Sequence, residues 1–167
     1  GTVTSWSQIR AGFPDVPLDL YGAGTDSGTF DYFTKAINGE EGASRTDYNP
    51  TEDDNVTVQG VEGAQGALGY FGLSYYEENM DKLIAVEIDG GAGCVAPSIE
   101  TAQAGTYAPL SRPLFIYVSK AAAARPEVLA FAEFFVANDE AITTKALFVP
   151  LSPEQVTAAQ AAVAGLK

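Results

Sequence analysis

The feature that most limits what this chain can fold into is a strand signal that runs through a glycine-containing loop straight into a helix signal. Leu18-Asp-Leu-Tyr21 alternates apolar and polar residues with period two, as a half-buried strand does. The loop Gly22-Ala-Gly-Thr-Asp-Ser-Gly28 follows. Beyond it Phe30, Phe33 and Ile37 recur at helical spacing as far as Asn38-Gly39, a pair that ends helices.

Similar alternation continues along the chain. Thr4 to Ile9 reads as a short helix closed by Gly12 and Pro14, and residues 55–63 as another. Residues 67–71 read as a strand, 74–81 as a helix, 83–88 as a strand, 90–97 as a loop and 98–104 as a helix ended by Gly105. Leu114-Phe-Ile-Tyr-Val118 is a continuous apolar run suited to a strand buried on both faces of a sheet. Pro126 suits the first turn of a helix striped by Val128, Leu129, Ala132, Phe135 and Val136, and Ser152-Pro-Glu-Gln155 opens a last helix with a capping-box pattern. Strands alternating with helices define an α/β architecture. The polar stretch 39–54 shows no periodicity and is expected to be a loop without a strand.

Composition narrows the function. A net charge of −13 leaves no basic patch for nucleic acid or an anionic membrane surface, so any anion site must be built locally. The absence of His removes the commonest general base and zinc ligand. Cys94 is the single cysteine, expected either as a small buried hydrophobe or as one half of a bridge whose partner lies outside the chain. No stretch approaches the length of a membrane span, and no signal peptide precedes Gly1. With no initiating Met, the chain reads as a mature, trimmed or split product.

Chemistry concentrates at Thr25-Asp-Ser-Gly-Thr29. A helix start leaves backbone N–H groups without intrahelical partners and carries the positive end of the helix dipole. Gly28 admits close approach, and Ser27 and Thr29 add hydroxyl donors, so the segment could cradle a tetrahedral oxyanion. Equally, Asp26 or Ser27 could simply cap the helix. A dinucleotide fingerprint is disfavoured, because it needs a second parallel strand soon after the helix and 39–54 is not expected to supply one. Ser27 lies outside a Gly-x-Ser-x-Gly context, and a Ser–Lys arrangement with Lys35 or Lys120 has no spacing in its favour. The acids Asp47, Glu52, Asp53 and Asp54 lack the glycine and closing Glu of a calcium loop.

Taken as an ordered set, Leu20-Tyr-Gly-Ala-Gly-Thr-Asp-Ser-Gly-Thr-Phe-Asp-Tyr-Phe33, Ser44-Arg-Thr-Asp-Tyr48, Glu52-Asp-Asp-Asn-Val56, Gln59-Gly-Val61, Gly66-Ala-Leu-Gly-Tyr-Phe71 and Pro109-Leu-Ser-Arg-Pro-Leu-Phe-Ile-Tyr-Val118 closely resemble the PstS-type phosphate-binding proteins of high-affinity phosphate ABC transporters. The resemblance implies an α/β, periplasmic-binding-protein-like (type II) lobe with a mixed sheet flanked by helices, plus a C-terminal strand and helices belonging to the other lobe. It implies a binding protein and not an enzyme, with no cofactor, periplasmic or extracytoplasmic, with a membrane anchor through an absent N-terminal segment as an option. Its partners would be a phosphate ion, the missing N-terminal lobe segment and the transporter permease.

By the same resemblance Ser27, Gly28 and Thr29 form the phosphate loop. Ala23 stands where some members carry an arginine, Arg45 is its substitute, and Asp26 is a stand-in acceptor. Residues 1–107 would be the second lobe with the incoming hinge, and 108–167 the returning hinge strand and C-terminal helices of an incomplete first lobe. The family's first phosphate loop, and the carboxylate that accepts the proton of hydrogen phosphate, are not visible in the chain. Phosphate-ester hydrolysis, or a structural or adhesion role without transport, are the alternatives.

Overall fold

The computed structural model describes residues 1–166 and divides into two compact units, Gly1–Glu87 and Ile88–Lys167. This division falls earlier in the chain than the lobe boundary expected after residue 107.

Unit 1 is built on a parallel sheet. The strand β1 (Asp19–Ala23) leads into α1 (Gly28–Asn38), followed by β2 (Asn49–Thr51), α2 (Asp54–Glu62), β3 (Ala67–Gly69) and the short α3 (Leu73–Glu77). The order is β2-β1-β3, with Tyr21 opposite Asn49 on one side and Leu20 opposite Leu68 on the other. Parallel neighbours need a crossover, and α1 and α2 provide it. The aromatic stripe of α1 buries Phe30, and Thr34 beside it returns its hydroxyl to the Phe30 carbonyl at 2.8 Å. Gly39, at φ 81°, closes the helix in a left-handed conformation that glycine adopts without a steric penalty.

Close packing on this sheet depends on glycine at several points. A Cβ on Gly60 of α2 would collide with the ring of Tyr21, and one on Gly66 with the Pro17 carbonyl oxygen. The same Gly66 carbonyl accepts the indole N–H of Trp6 at 2.9 Å, and the Trp6 ring meets Phe13 edge-on at 5.9 Å. Trp6 belongs to the short 3-10 helix Trp6–Gln8, capped on both sides of Ser5 by a capping box with Gln8.

The expectation that 39–54 lacks a strand is corrected. Residues Asn49–Thr51 form β2, and the Gly24 N–H donates to the Thr51 carbonyl at 2.9 Å. That pairing is imposed by β1, because Asn-Pro-Thr has no strand pattern of its own. A parallel strand does therefore follow α1, as it does in dinucleotide-binding units. The expected strand 83–88 is corrected too. Ile84 is 96% exposed, and only Ile88 of that stretch enters a ladder. The helix expected over 74–81 is the shorter α3.

In unit 2, β4 (Ile88–Asp89) and β5 (Cys94–Val95) form an antiparallel hairpin inside the segment expected to be a loop. Its tip is held by the Asp89 carboxylate, which accepts the N–H groups of Gly91 and Gly93 at 2.8 and 3.0 Å. Cys94 is exposed, so it is not the buried hydrophobe that was one of its two expected states. Helices α4 (Ile99–Gln103), α5 (Lys120–Ala123), α6 (Pro126–Ala137), α7 (Asp139–Lys145) and α8 (Pro153–Ala164) complete the unit. Its core is Ala132, Val136 and Val163, where α6 meets α8, with Val118, Leu129 and Ala159 packed around them. The buried Asp139 carboxylate accepts the Leu151 N–H at 2.8 Å, and Gln103 donates to the Pro150 carbonyl at 2.9 Å, which fixes the segment leading into α8.

The run 114–118 is not a strand, and its expected burial is corrected. Leu114, Phe115, Ile116 and Tyr117 are all exposed, because the described residues offer no neighbouring strand to pair with them.

Candidate functional site: the start of helix α1

Sheet order makes the mouth of α1 the place where ligand chemistry can gather. Strand β1 is central, and its C-terminal end delivers the loop 24–27 to the helix start. Open α/β sheets present ligands at the carboxyl ends of their strands. Ser27 is the N-cap, with extended backbone, and its hydroxyl oxygen accepts the Thr29 N–H at 3.1 Å. Capping therefore engages one lone pair of Ser27 and leaves its O–H able to donate. The Ser27 N–H donates to the Gly24 carbonyl at 3.1 Å, tightening the loop into a turn. Ser27 and Thr29 are half-buried, whereas Asp26 and Gly28 are exposed.

Three residues that sequence reasoning did not assign to the site close around this loop. Tyr48 donates its hydroxyl to the Ala23 carbonyl at 2.9 Å, and Tyr70 approaches the same oxygen at 3.5 Å. Tyr70 also stacks on Phe33 of α1 at 3.8 Å, and its ring fills the space that a side chain at Gly22 would need. Burial, with Tyr48 nearby, pushes the Tyr70 phenol up to about 12. Glu52 is the third. Its carboxylate lies over Gly24, where a Cβ would collide with it, and accepts the Asp26 N–H at 3.4 Å. The signal for Tyr48 and Glu52 was their place in the Ser44–Tyr48 and Glu52–Val56 motifs. Their convergence on the loop comes from β2, which the sequence did not announce.

Electrostatically the mouth is acidic apart from the helix dipole. Burial raises the Asp54 carboxyl above the ordinary range, the Asp53 and Glu52 charges add to this, and a hydrogen bond from the Gly72 backbone opposes it. Arg45 is held elsewhere. Its Nε and Nη2 donate to the two Asp47 oxygens at 2.7 and 2.8 Å, and its Nη1 to the Val3 carbonyl at 3.1 Å. The guanidinium holds the Asp47 carboxyl well below the usual range. None of these three bonds is to the loop 25–29, although Tyr48, three residues on, does reach the root of that loop. Lys35 is engaged at the far end of α1, donating to the Gly39 carbonyl at 3.1 Å, and does not pair with Ser27.

Among the described residues, no group of three or more His, Cys, Asp or Glu side chains is placed to hold a metal ion. A surface hollow of about 290 Å3 bordered by Glu62, Gln65, Lys82 and Leu83 shares no lining residue with the α1 loop.

A central parallel strand feeding a donor-bearing helix start is the arrangement of a solute-binding lobe, and a family model confirms the class. Residues 1–139 match the PBP superfamily domain, and the chain belongs to that superfamily. Within it the chain is PstS-like. It is 50% identical over 154 residues to the protein SphX of Synechocystis sp., covering 92% of this chain and 46% of that protein. It is 35% identical over 121 residues to the phosphate-binding protein PstS of Staphylococcus haemolyticus, covering 72% of this chain and 37% of that one. A crystal structure described as a possible phosphate binding protein from Planctomyces limnophilus superposes with a TM-score of 0.89 at 44% identity, over 99% of this chain and 59% of that chain. PstS from Borrelia burgdorferi shares the fold, with a TM-score of 0.59 at 18% identity. The chain thus spans less than half the length of these SphX and PstS sequences.

Proposed function

We propose that this chain supplies one wall of an inorganic-phosphate site in the extracytoplasmic solute-binding component of a phosphate ABC transporter. The observation that carries the reading is the start of α1, where Ser27 and Thr29 hydroxyls and first-turn backbone converge at the positive end of a helix dipole. A site of this kind suits a chain of strong negative charge, because its donors are neutral. Relatives whose names state phosphate binding support the same ligand.

In this reading Ser27, Gly28 and Thr29 donate to phosphate oxygens. Arg45 approaches once the lobes close. Its guanidinium has more N–H donors than its present bonds use, and the paired bonds to Asp47 keep it oriented. Asp26, at the exposed rim, is the candidate acceptor within this chain. Residues 1–107 belong to one lobe and 108–167 return to the other, which carries the remaining half of the cage. The protein works outside the cytoplasm and hands phosphate to a permease. Among the described residues no helix is long and apolar enough to cross a membrane, so an anchor would lie elsewhere. A hydrolase reading gains no support from the position of Lys35.

Calorimetric titration of phosphate and of sulfate tests this. The chain joined to its first-lobe portion is expected to bind phosphate in preference to sulfate, and the chain alone to bind weakly because half the cage is open to water. Ser27→Ala should lower phosphate affinity by about tenfold, the loss of one charge-assisted hydrogen bond of about 1.5 kcal/mol. A joined protein that ignores phosphate, or an S27A variant that binds undiminished, would refute the assignment.

A further inference from the structure

The root of the α1 loop lies where side chains can stiffen the backbone least. Ala23 stands between Gly22 and Gly24. The Tyr70 ring takes the space of a Cβ at the first glycine, and the Glu52 carboxylate takes it at the second. Glycine has the widest backbone freedom of any residue, so close packing leaves a root that is free to swing unless something else holds it. The donors of 27–29 hang from that root.

Hydrogen bonds to one peptide group supply the restraint. The Ala23 carbonyl, in a residue only 1% exposed, accepts the Tyr48 hydroxyl at 2.9 Å. The Gly24 N–H, at the other end of the same planar group, donates to the Thr51 carbonyl at 2.9 Å. A peptide plane bonded at both ends resists rotation about the chain direction. Order then passes along the loop, since the Gly24 carbonyl accepts the Ser27 N–H at 3.1 Å and the Ser27 hydroxyl oxygen accepts the Thr29 N–H at 3.1 Å. Tyr70 contributes less to this restraint. Its hydroxyl stands 3.5 Å from the Ala23 carbonyl, beyond good bonding distance, and its ring is held by Phe33. Burial, and after it the Glu52 charge, push the Tyr48 phenol above its ordinary value, so the hydroxyl keeps its proton for donation.

We propose that Tyr48 is a positioning residue of the phosphate site: by fixing the Ala23–Gly24 peptide, its hydroxyl presets the geometry from which Ser27, Gly28 and Thr29 donate. Donors fixed before binding lose less conformational freedom when the ligand arrives, and so bind it more tightly. Tyr48 follows Arg45 by three residues, and the same contact therefore anchors the segment that carries the guanidinium. The inference rests on the phosphate reading of the α1 loop and adds a residue to it.

The joined protein of the phosphate titration serves for the test. Tyr48→Phe removes the hydroxyl and keeps the ring, so packing and ring-current fields are preserved. Without phosphate, amide proton–nitrogen spectra of the variant should show the Ser27, Gly28 and Thr29 resonances moved or broadened, while far-UV circular dichroism matches the wild type. In calorimetry Tyr48→Phe should weaken phosphate binding by about fivefold. Because Tyr48 acts through the loop and not on the ligand, that loss should shrink to about twofold in a Ser27→Ala background. Undisturbed loop amides, undiminished affinity, or losses that simply multiply in the double variant would each overturn the proposal. A fold lost in Y48F would overturn it as well, by making Tyr48 a general structural residue. A wild-type protein that ignores phosphate would sink the ligand reading instead, and the amide spectra, which need no phosphate, would then decide whether Tyr48 sets the loop.

Discussion

At the scale of single residues, the mouth of α1 brings together groups with opposing electrostatic demands. The helix start favours an anion, and the protein's own carboxylates already stand at it: Asp26 in the loop, Asp31 in the first turn, and Glu52, which accepts the Asp26 N–H. Asp54 bears the consequence, with burial first and its acidic neighbours second raising its pKa. A carboxyl whose folded pKa lies above its unfolded value of about 3.9 favours folding most below that value, and this contribution is lost as pH rises through the folded pKa. Asp54→Asn keeps an acceptor for the Gly72 N–H and removes the charge. Urea midpoints should therefore show the variant more stable than the wild type at pH 7, with the gap closing toward pH 3. A gap that widened on acidification would contradict this sign.

At the scale of elements, the turn into β3 is where unit 1 has least room. Gly66 faces the Pro17 carbonyl, and its own carbonyl serves both the Asp19 N–H at 3.2 Å and the Trp6 indole. Gly66→Ala must move backbone, since the obstacle is a carbonyl and not the end of a flexible side chain. The expected loss is about 1–3 kcal/mol in denaturant unfolding. The sequence made the β1–loop–α1 unit legible, because period two, a glycine loop and helical spacing each leave a local mark. It hid β2, whose Asn-Pro-Thr residues pair only because β1 and the Gly24 N–H are there to receive them. The approach of Glu52 to Gly24 was hidden for the same reason, since it follows from that pairing. The run 114–118 failed in the opposite way. Its residues carry the continuous apolar pattern of a buried strand, but among the described residues no strand pairs with it.

At the scale of the whole molecule, the two compact units differ in how complete they are. Unit 1 has a sheet, its crossover helices and a candidate site. Unit 2 has a helical core with an uncovered apolar segment. The single tryptophan allows the two to be observed apart. Trp6 is pinned by the Gly66 carbonyl and by Phe13, both in unit 1, so the light it emits reports on the packing of unit 1. Gly66→Ala should bring the red shift of that emission to lower urea concentration, whereas Ile116→Lys should leave the emission maximum of the folded chain in place. One side chain, tied down for structural reasons, thus acts as a native optical label for the half of the chain that holds the α1 loop.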